Sequence, residues 1–230
     1  MKESIDLRAW FEKQLETNRM HSKLSEAPLG KPWQVDPNSP TPLSRIDGGF
    51  FRVVHAKVSE ASKREVHSWN QPLIRESNSR VLLDKEVVGV LVLIRKKIEE
   101  GQDIFLVQAK AEPGNSDREG CLLLAPSIQA SFSNVLAHPG KVPLWNELDM
   151  EVTLERKFPG TKEATQFAIL GKDGGRFYRK NNLLALSDIP EDHRLDVPDT
   201  HTWATREAIR KLQIAGLGNE HLAEVFGTFL

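Results

Sequence analysis

Apolar residues recur along this chain at two spacings, and these spacings predict where helices and strands lie. Near the N-terminus, Leu7, Phe11 and Leu15 follow helical spacing, which predicts an amphipathic helix over residues 4–19. Residues 27–49 then contain five prolines, which exclude a helix and a central strand. We therefore expect a long irregular connector there, of the kind that links elements or covers a functional site.

Short apolar runs follow the connector, and each is predicted to be a strand. The predicted strands cover residues 50–58, 87–94, 104–110, 121–125, 127–132, 149–156, 165–170, 176–180 and 182–186. The C-terminal end returns to helical spacing, with Thr202 as the expected N-cap of a helix over residues 203–214 and a second helix near residues 219–226.

The order of helix, many strands and helix predicts an α+β fold with a mostly mixed or antiparallel sheet. We expect an N-terminal helix and proline-rich connector over residues 1–49 and one domain over residues 50–230.

Composition narrows the functional classes. The formal net charge is −1 and the isoelectric point about 6.7, so no global field attracts nucleic acid or an anionic membrane. The single cysteine, Cys121, forms no internal disulfide and precedes an apolar run, which indicates a core residue in a reducing compartment. The charged N-terminus and the lack of a membrane-length apolar run predict a soluble, cytoplasmic protein.

The sequence lacks the motifs of several common metal-binding, phosphate-binding and nucleophilic sites. No histidine pair has zinc-ligand spacing, and one cysteine excludes a thiolate metal site, so no metal is expected. The glycine pairs at residues 48–49 and 174–175 lack the pattern of a phosphate-binding loop, and no G-x-S-x-G elbow is present.

Three polar clusters that also contain aromatic residues remain, at residues 64–74, 105–134 and 174–182. Arginine forks match phosphate oxygens, aromatic rings stack on a base, and amides read its edge or sugar hydroxyls. The clusters therefore suit a nucleotide-linked ligand. The alternative, which the residues leave open, is a buried Trp69, a surface ion pair at Arg64 and a charged hairpin over residues 176–180.

Four segments in these clusters resemble the NDP-hexose 2,3-dehydratases of deoxysugar biosynthesis. In chain order they are REVHSWNQPLI, FLVQAKAEPGN, LAPSIQASFSN and GGRFYRKNN. The resemblance runs from about Leu7 to the C-terminal helices. It implies a Nudix-like mixed β-sheet domain that acts on dTDP-4-keto-6-deoxy-D-glucose without metal or cofactor. The clustered glutamates of the Nudix catalytic helix are absent from this sequence.

The reaction that the resemblance implies needs a base for the C3 proton, a donor for the charge on O4 and an acid for the departing C2 hydroxyl. Lys110 and Glu112 lie two apart on a predicted strand and share a face, so they suit an oxyanion donor and an acid/base group. They equally suit a structural ion pair. Tyr178 is a second candidate acid.

The resemblance also implies which residues bind the nucleotide sugar. One wall of the pocket is expected to contain Arg64, Trp69, Gln71 and Pro72. The other is expected to contain Gln108, Lys110, Glu112, Asn115, Gln129 and Ser131, with Arg176 and Arg179 on the diphosphate.

The family is expected to carry two copies of this unit in one chain, whereas this sequence has one, so a homodimer would rebuild the arrangement. A downstream 3-ketoreductase is a further expected partner. Residues 169–172 depart from the family pattern, which keeps open a non-catalytic nucleotide-sugar-binding subunit. An isomerase or epimerase that uses the same enolisation is a third interpretation.

Overall fold

The computed structural model describes residues 6–21, 28–59, 68–82, 84–98, 102–112, 122–138, 140–146, 148, 150, 165–172, 177–178 and 180–230. The helices of this part are α1 (Leu7–His21), α2 (Phe132–Ala137), α3 (Arg206–Ile214) and α4 (Glu220–Phe229). The strands are β1 (Trp33–Val35), β2 (Leu43–Arg45), β3 (Phe51–Val58), β4 (Trp69–Glu76), β5 (Arg80–Leu82), β6 (Lys85–Val87), β7 (Gly89–Lys97), β8 (Asp103–Ala111), β9 (Leu122–Pro126), β10 (Ile128–Ser131), β11 (Thr165–Lys172), β12 (Lys180–Ile189) and β13 (His201–Thr205). None of the described helices is long and apolar enough to cross a membrane.

Seven strands form the main sheet, in the order β11-β12-β7-β8-β13, with β10 beside β7 and β9 beside β8. Strand β12 runs parallel to β7, and the other paired neighbours are antiparallel. A second sheet has the order β1-β2-β3-β4, and β5 pairs with β6. This mixed sheet with helices before and after it confirms the predicted α+β class.

Alternating residues of the main sheet bury two separate cores. On one face, Phe105 and Val107 of β8 pack in a cluster with Phe11 of α1, Ile209 of α3 and Leu222 of α4. The opposite face carries a second cluster, which includes Leu106, Ile128, Phe132, Trp145 and Leu183. Full burial of one such side chain stabilises the fold by about 1.5–3 kcal/mol, so the central strands are held from both sides.

Strands β7 and β8 separate part-way along their length. They pair from Lys97 and Asp103 as far as Ile94 and Leu106. Beyond that pair, β7 is hydrogen-bonded to β10 and β8 to β9. We call the resulting gap the strand split.

Ser127 closes the apex of the strand split. It is the one residue between β9 and β10, and it is fully buried. Its Oγ donates to the Leu106 carbonyl at 2.5 Å and accepts the Ile94 N–H at 2.9 Å. Since Ile94 and Leu106 are the last pair of the β7–β8 ladder, one hydroxyl joins the two strands where their own hydrogen bonds end.

The structure corrects three sequence expectations. Thr202 lies in β13, which pairs with β8, and the N-cap of α3 is Thr205, whose Oγ1 lies 3.3 Å from the Ala208 N–H. Pairing with a buried neighbour therefore wins over the local helical pattern. Strand β10 ends early because Ser131 caps α2, accepting from Asn134 N–H at 3.3 Å. Strand β4 was not predicted, because polar residues interrupt its apolar ones.

The N-terminal elements pack against the rest of the fold. Two short strands, β1 and β2, lie within the predicted connector, and β2 pairs with β3, so the second sheet crosses the expected boundary at residues 49–50. Helix α1 contributes Leu7 and Phe11 to the core of the main sheet. The domain boundary stays a prediction. Cys121 and all of the predicted strand over residues 149–156 except residue 150 lie outside the described residues. Of the predicted strand over residues 176–180, residues 176 and 179 lie outside them.

Replacing Ser127 with alanine is expected to lower the free energy of unfolding by about 1–3 kcal/mol, because the Ile94 N–H and the Leu106 carbonyl lose their buried partner. Urea unfolding of Ser127→Ala and wild type measures the difference. Ser59→Ala removes an exposed hydroxyl and is the control, with an expected change within about 0.5 kcal/mol. Equal stability of the two variants would contradict the role of Ser127.

Candidate functional site

Strand β8 changes from apolar to polar on one face as it passes the strand split. Leu106 is buried in the second core, and Gln108 and Lys110 follow on the same side because alternate strand residues share a face. Gln108 is only 7% exposed. Glu112 comes directly after the strand and is half-buried. A polar run in such a buried position needs hydrogen-bond partners, and the structure supplies them.

A cavity of about 280 Å³ opens beside these residues. We call it the lysine cleft. Strands β8 and β10 supply part of its lining, and α2 and the segment after it supply the rest. The lining residues are Gln108, Lys110, Ile128, Gln129, Ala130, Asn134, His138, Lys141, Val142 and Pro143.

Lys110 reaches across to the neighbouring strand. Its Nζ donates to the main-chain carbonyl of Gln129 at 2.9 Å. Burial lowers the pKa of Lys110, and the nearby charge of Glu112 acts in the opposite direction. The ammonium group thus has a fixed position beside the cleft and a carboxylate close enough to affect its titration.

Glu112 is held by two amide side chains. Gln129 Nε2 donates to Glu112 Oε1. Asn219 Nδ2 donates to Gln129 Oε1 at 2.7 Å and to Glu112 Oε1 at 3.3 Å. We call these three residues the amide–carboxylate network. Glu112 does not line the lysine cleft itself but is bonded to Gln129, which does.

A buried histidine lies next to Gln108. His201 of β13 pairs with Gln108 of β8, and its Nε2 lies 2.9 Å from the Ser127 carbonyl. Since a carbonyl only accepts, Nε2 carries a proton, and Nδ1 accepts from the Thr200 hydroxyl at 3.0 Å. Burial lowers the pKa of His201, the hydrogen bond to Ser127 raises it, and the charge of Lys110 lowers it. The imidazole is therefore held neutral.

Tyr178 lies elsewhere in the fold. Its main-chain N–H donates to the Ile74 carbonyl of β4 at 2.9 Å, and the Arg75 guanidinium lies 5.5 Å from the centre of its ring. It lines a separate small cleft with Glu76 and Lys180 and is not among the lining residues of the lysine cleft. Burial raises the pKa of Glu76, and Lys180, whose Nζ lies 3.6 Å from it, opposes that shift.

Some of the other predicted binding residues lie in the described part of the chain, and some lie outside it. Gln71 and an exposed Pro72 lie on β4, paired with β3, and Ser131 caps α2. Trp69 begins β4. The residues outside the described part of the chain are Arg64, Asn115, Arg176 and Arg179. Binding roles for all of these residues stay predictions.

The structure therefore brings together Gln108, Lys110, Glu112 and Gln129 from the predicted set. It adds Asn219 and His201, which the sequence did not single out for a site. Asn219 was visible only as the start of a helix, and its contacts with Gln129 and Glu112 span 90 and 107 residues of sequence.

A model of the NDP-hexose 2,3-dehydratase family matches residues 4–217. The chain belongs to this family, which confirms the resemblance of its four motifs.

Two relatives carry the same enzyme name. The dTDP-4-dehydro-6-deoxy-alpha-D-glucopyranose 2,3-dehydratase of Streptomyces violaceoruber is 32% identical over 173 residues, which make up 75% of this chain and 33% of that protein. The enzyme of that name from Saccharopolyspora spinosa is 30% identical over 201 residues, or 85% of this chain and 36% of that protein. The chain thus spans about a third of the length of these curated relatives.

Solved structures with a similar fold include an Ap4A hydrolase from C. elegans, with 18% identity, a TM-score of 0.33, and coverage of 62% of this chain and 98% of that one. A Nudix hydrolase from M. smegmatis, RenU, has 15% identity and a TM-score of 0.30, with coverage of 62% and 88%.

The neutral, buried His201 is expected to make stability depend on pH. The pKa of His201 is lowered in the folded state from its ordinary value of 6.5. As the pH drops below 6.5, the unfolded chain therefore binds more protons than the folded chain, and the free energy of unfolding falls. The contribution has a slope of at most about 1.4 kcal/mol per pH unit. Urea unfolding of wild type and His201→Gln between pH 5 and pH 8 measures it.

The expected result is a shallower loss of stability at acidic pH in His201→Gln than in wild type. His55→Gln replaces an exposed histidine of β3 and should retain the wild-type dependence. Identical slopes for His201→Gln and wild type would show that this histidine does not couple folding to protonation.

Proposed function

We propose that this chain provides the sugar site of an NDP-hexose 2,3-dehydratase that converts a dTDP-4-keto-6-deoxyhexose into a 3,4-diketo-2,6-dideoxy sugar. The observation that carries the proposal is that Gln129, in a chain of this family, is hydrogen-bonded both to the Lys110 ammonium of the lysine cleft and to the Glu112 carboxylate. The names of the relatives supply the substrate class.

The first step removes the C3 proton. The C3–H bond breaks, its proton passes to Glu112, and its electron pair forms an enolate with the adjacent C4 ketone. Negative charge then develops on O4. Lys110 is suited to hold it, because a cation fixed by the Gln129 carbonyl requires little reorganisation as the charge appears.

The second step expels the C2 hydroxyl. The enolate re-forms the C4 ketone, its electrons make the C2–C3 double bond, and the C2–O bond breaks. The proton carried by Glu112 joins the departing hydroxyl to give water. The enol that remains tautomerises to the diketone. The reaction that we propose is metal-independent and uses no cofactor.

Binding of the nucleotide is assigned to residues around this centre. Gln108 and Gln129 line the lysine cleft and suit sugar hydroxyls. Arg176 and Arg179 are proposed for the diphosphate. The remaining proposed binding residues are Arg64, Trp69, Gln71, Pro72, Asn115 and Ser131.

A non-catalytic nucleotide-sugar-binding subunit is the second candidate function. It is favoured by residues 169–172, which depart from the family pattern. The hydrogen bonds that Gln129 makes with Lys110 and Glu112 also suit a purely structural role. An isomerase that stops after the enolisation of C3 is a third candidate.

We further propose a cytoplasmic homodimer that passes its product to a 3-ketoreductase. Two copies related by a twofold axis would bury the surfaces that a tandem of two such units buries. Sedimentation equilibrium is expected to give twice the mass of the 25.9 kDa chain, and a monomer at micromolar concentration would contradict the dimer.

Incubation with dTDP-4-keto-6-deoxyglucose and a 3-ketoreductase separates the three functions by mass spectrometry. Loss of one water from the sugar is expected for the dehydratase. Incorporation of solvent deuterium at C3 without loss of water would indicate the isomerase instead. Binding of the nucleotide sugar with neither change would identify the non-catalytic subunit.

Lys110→Met and Glu112→Gln are expected to lower kcat by roughly 10²–10⁴-fold, because each removes one group of the proposed chemistry. Affinity for dTDP, measured by calorimetry, should stay close to wild type. Lys57→Met replaces an exposed lysine of β3 and is the matched control, with wild-type turnover expected. Normal turnover of the Lys110 or Glu112 variant would remove that residue from the mechanism.

A further inference from the structure

We propose that Asn219 is a positioning residue of the site: it orients the Glu112 carboxylate through Gln129 and leaves Oε2 as the oxygen that takes the substrate proton. This inference rests on the proposed function for the role of Glu112. The orientation itself follows from hydrogen bonds between described residues.

The orientation begins at the N-terminus of α4. Asn219 Oδ1 accepts the Leu222 N–H at 2.9 Å, which makes Asn219 the N-cap of the helix. A main-chain N–H only donates, so the oxygen of the Asn219 amide must lie on the helix side. Its nitrogen therefore points away from the helix, toward β10 and the end of β8.

The orientation of the Gln129 side-chain amide follows in the same way. Asn219 Nδ2 donates at 2.7 Å, so the atom of Gln129 that receives it must be the oxygen, Oε1. The Gln129 nitrogen is then turned toward Glu112 and donates to its Oε1. Neither amide can flip without placing two donors or two acceptors together.

Glu112 is the acceptor at the end of this chain. Its Oε1 takes hydrogen bonds from both Gln129 and Asn219. Both bonds require an unprotonated oxygen at that position. No hydrogen bond among the described residues engages Oε2, so a proton taken from substrate goes to Oε2 while Oε1 stays anchored.

The main chain around Asn219 is itself fixed. Its N–H donates to the Leu124 carbonyl of β9 at 2.9 Å, and the Leu124 N–H donates to Leu217 at 2.8 Å. Gly218, between them, passes so close to α3 that an added Cβ would lie 2.7 Å from Gln213 Cγ. The sheet thus sets the position from which Asn219 reaches the network.

A purely structural role for Asn219, as a cap that holds α4, is the competing explanation. The substitution Asn219→Ser tests it, because serine caps a helix about as well as asparagine but carries no amide to reach Gln129. Asn219→Asp also keeps the cap and replaces the donor with an acceptor beside Glu112. Thr205→Ala is the matched control, since it removes the cap of α3 and leaves the network intact.

Steady-state kinetics and thermal unfolding of the four proteins separate the two explanations. Asn219→Ser is expected to lower kcat on the order of 10–100-fold with KM and Tm near wild type. Asn219→Asp should lose more activity than Asn219→Ser. Thr205→Ala should lower Tm and retain kcat. Wild-type kcat in Asn219→Ser, or a loss that follows Tm across the variants, would overturn the positioning role.

A measurement without substrate keeps this test distinct from that of the proposed function. In ¹⁵N-labelled protein, the side-chain amide signal of Gln129 is expected to shift in Asn219→Ser and to stay in place in Thr205→Ala. An unchanged signal in Asn219→Ser contradicts the network whatever the activity. If wild type neither dehydrates the sugar nor exchanges its C3 proton, the proposed function fails, and the positioning role of Asn219 in catalysis fails with it. The Gln129 amide signal still decides whether the amide–carboxylate network forms.

Discussion

The arrangement of the site depends on the two hydrogen bonds that the Ser127 hydroxyl makes. Two long strands, β7 and β8, stop pairing at Ile94 and Leu106, and each would present a bare row of main-chain groups beyond that point. Ser127 joins them at the apex, and the chain on either side of it supplies new partners, β9 for one strand and β10 for the other. The gap between the original strands is thereby kept open while each of them has a hydrogen-bonded neighbour beyond the apex. Lys110 and the main-chain carbonyl of Gln129 meet across that gap.

Burial of polar groups distinguishes this site from the two apolar cores beside it. Taking a lysine out of water is unfavourable unless the charge finds partners, and here the partners are a carbonyl oxygen and a nearby carboxylate. The neutral His201 fits the same environment, because an imidazolium next to the Lys110 charge would add repulsion to the cost of burial. Lys110 therefore has one carboxylate close to it and the neutral imidazole of His201 on its other side. That division of charge suits the stabilisation of an enolate.

Local pattern predicted the parts of the molecule that local forces decide. The apolar runs of β3, β8 and β9 and the polar residues that follow along β8 were visible in the sequence. The family resemblance put Gln108, Lys110 and Gln129 on one wall of a pocket, and the structure has all three in the lining of the lysine cleft. Their binding roles stay predictions. Thr202 was misassigned because pairing of β13 with β8 is a long-range contact. Asn219 and His201 were missed for the same reason: a cap and a strand residue show nothing in sequence of the partners that they reach. Tyr178 was grouped with the catalytic candidates by its motif, yet the fold places it against Arg75 in a different cleft.

The one-residue link at Ser127 has a consequence for how such a site can change over evolution. Because a single buried residue connects β9 to β10, an insertion or deletion there would turn alternate residues of one strand to the opposite face while the other stayed in register. The spacing between Lys110 and Gln129 therefore depends on the length of this link. The segment after α2, which lines the lysine cleft with His138 and Lys141, carries no such constraint. New substrates would then be accommodated by altering that rim, with the inner dimensions of the cleft preserved.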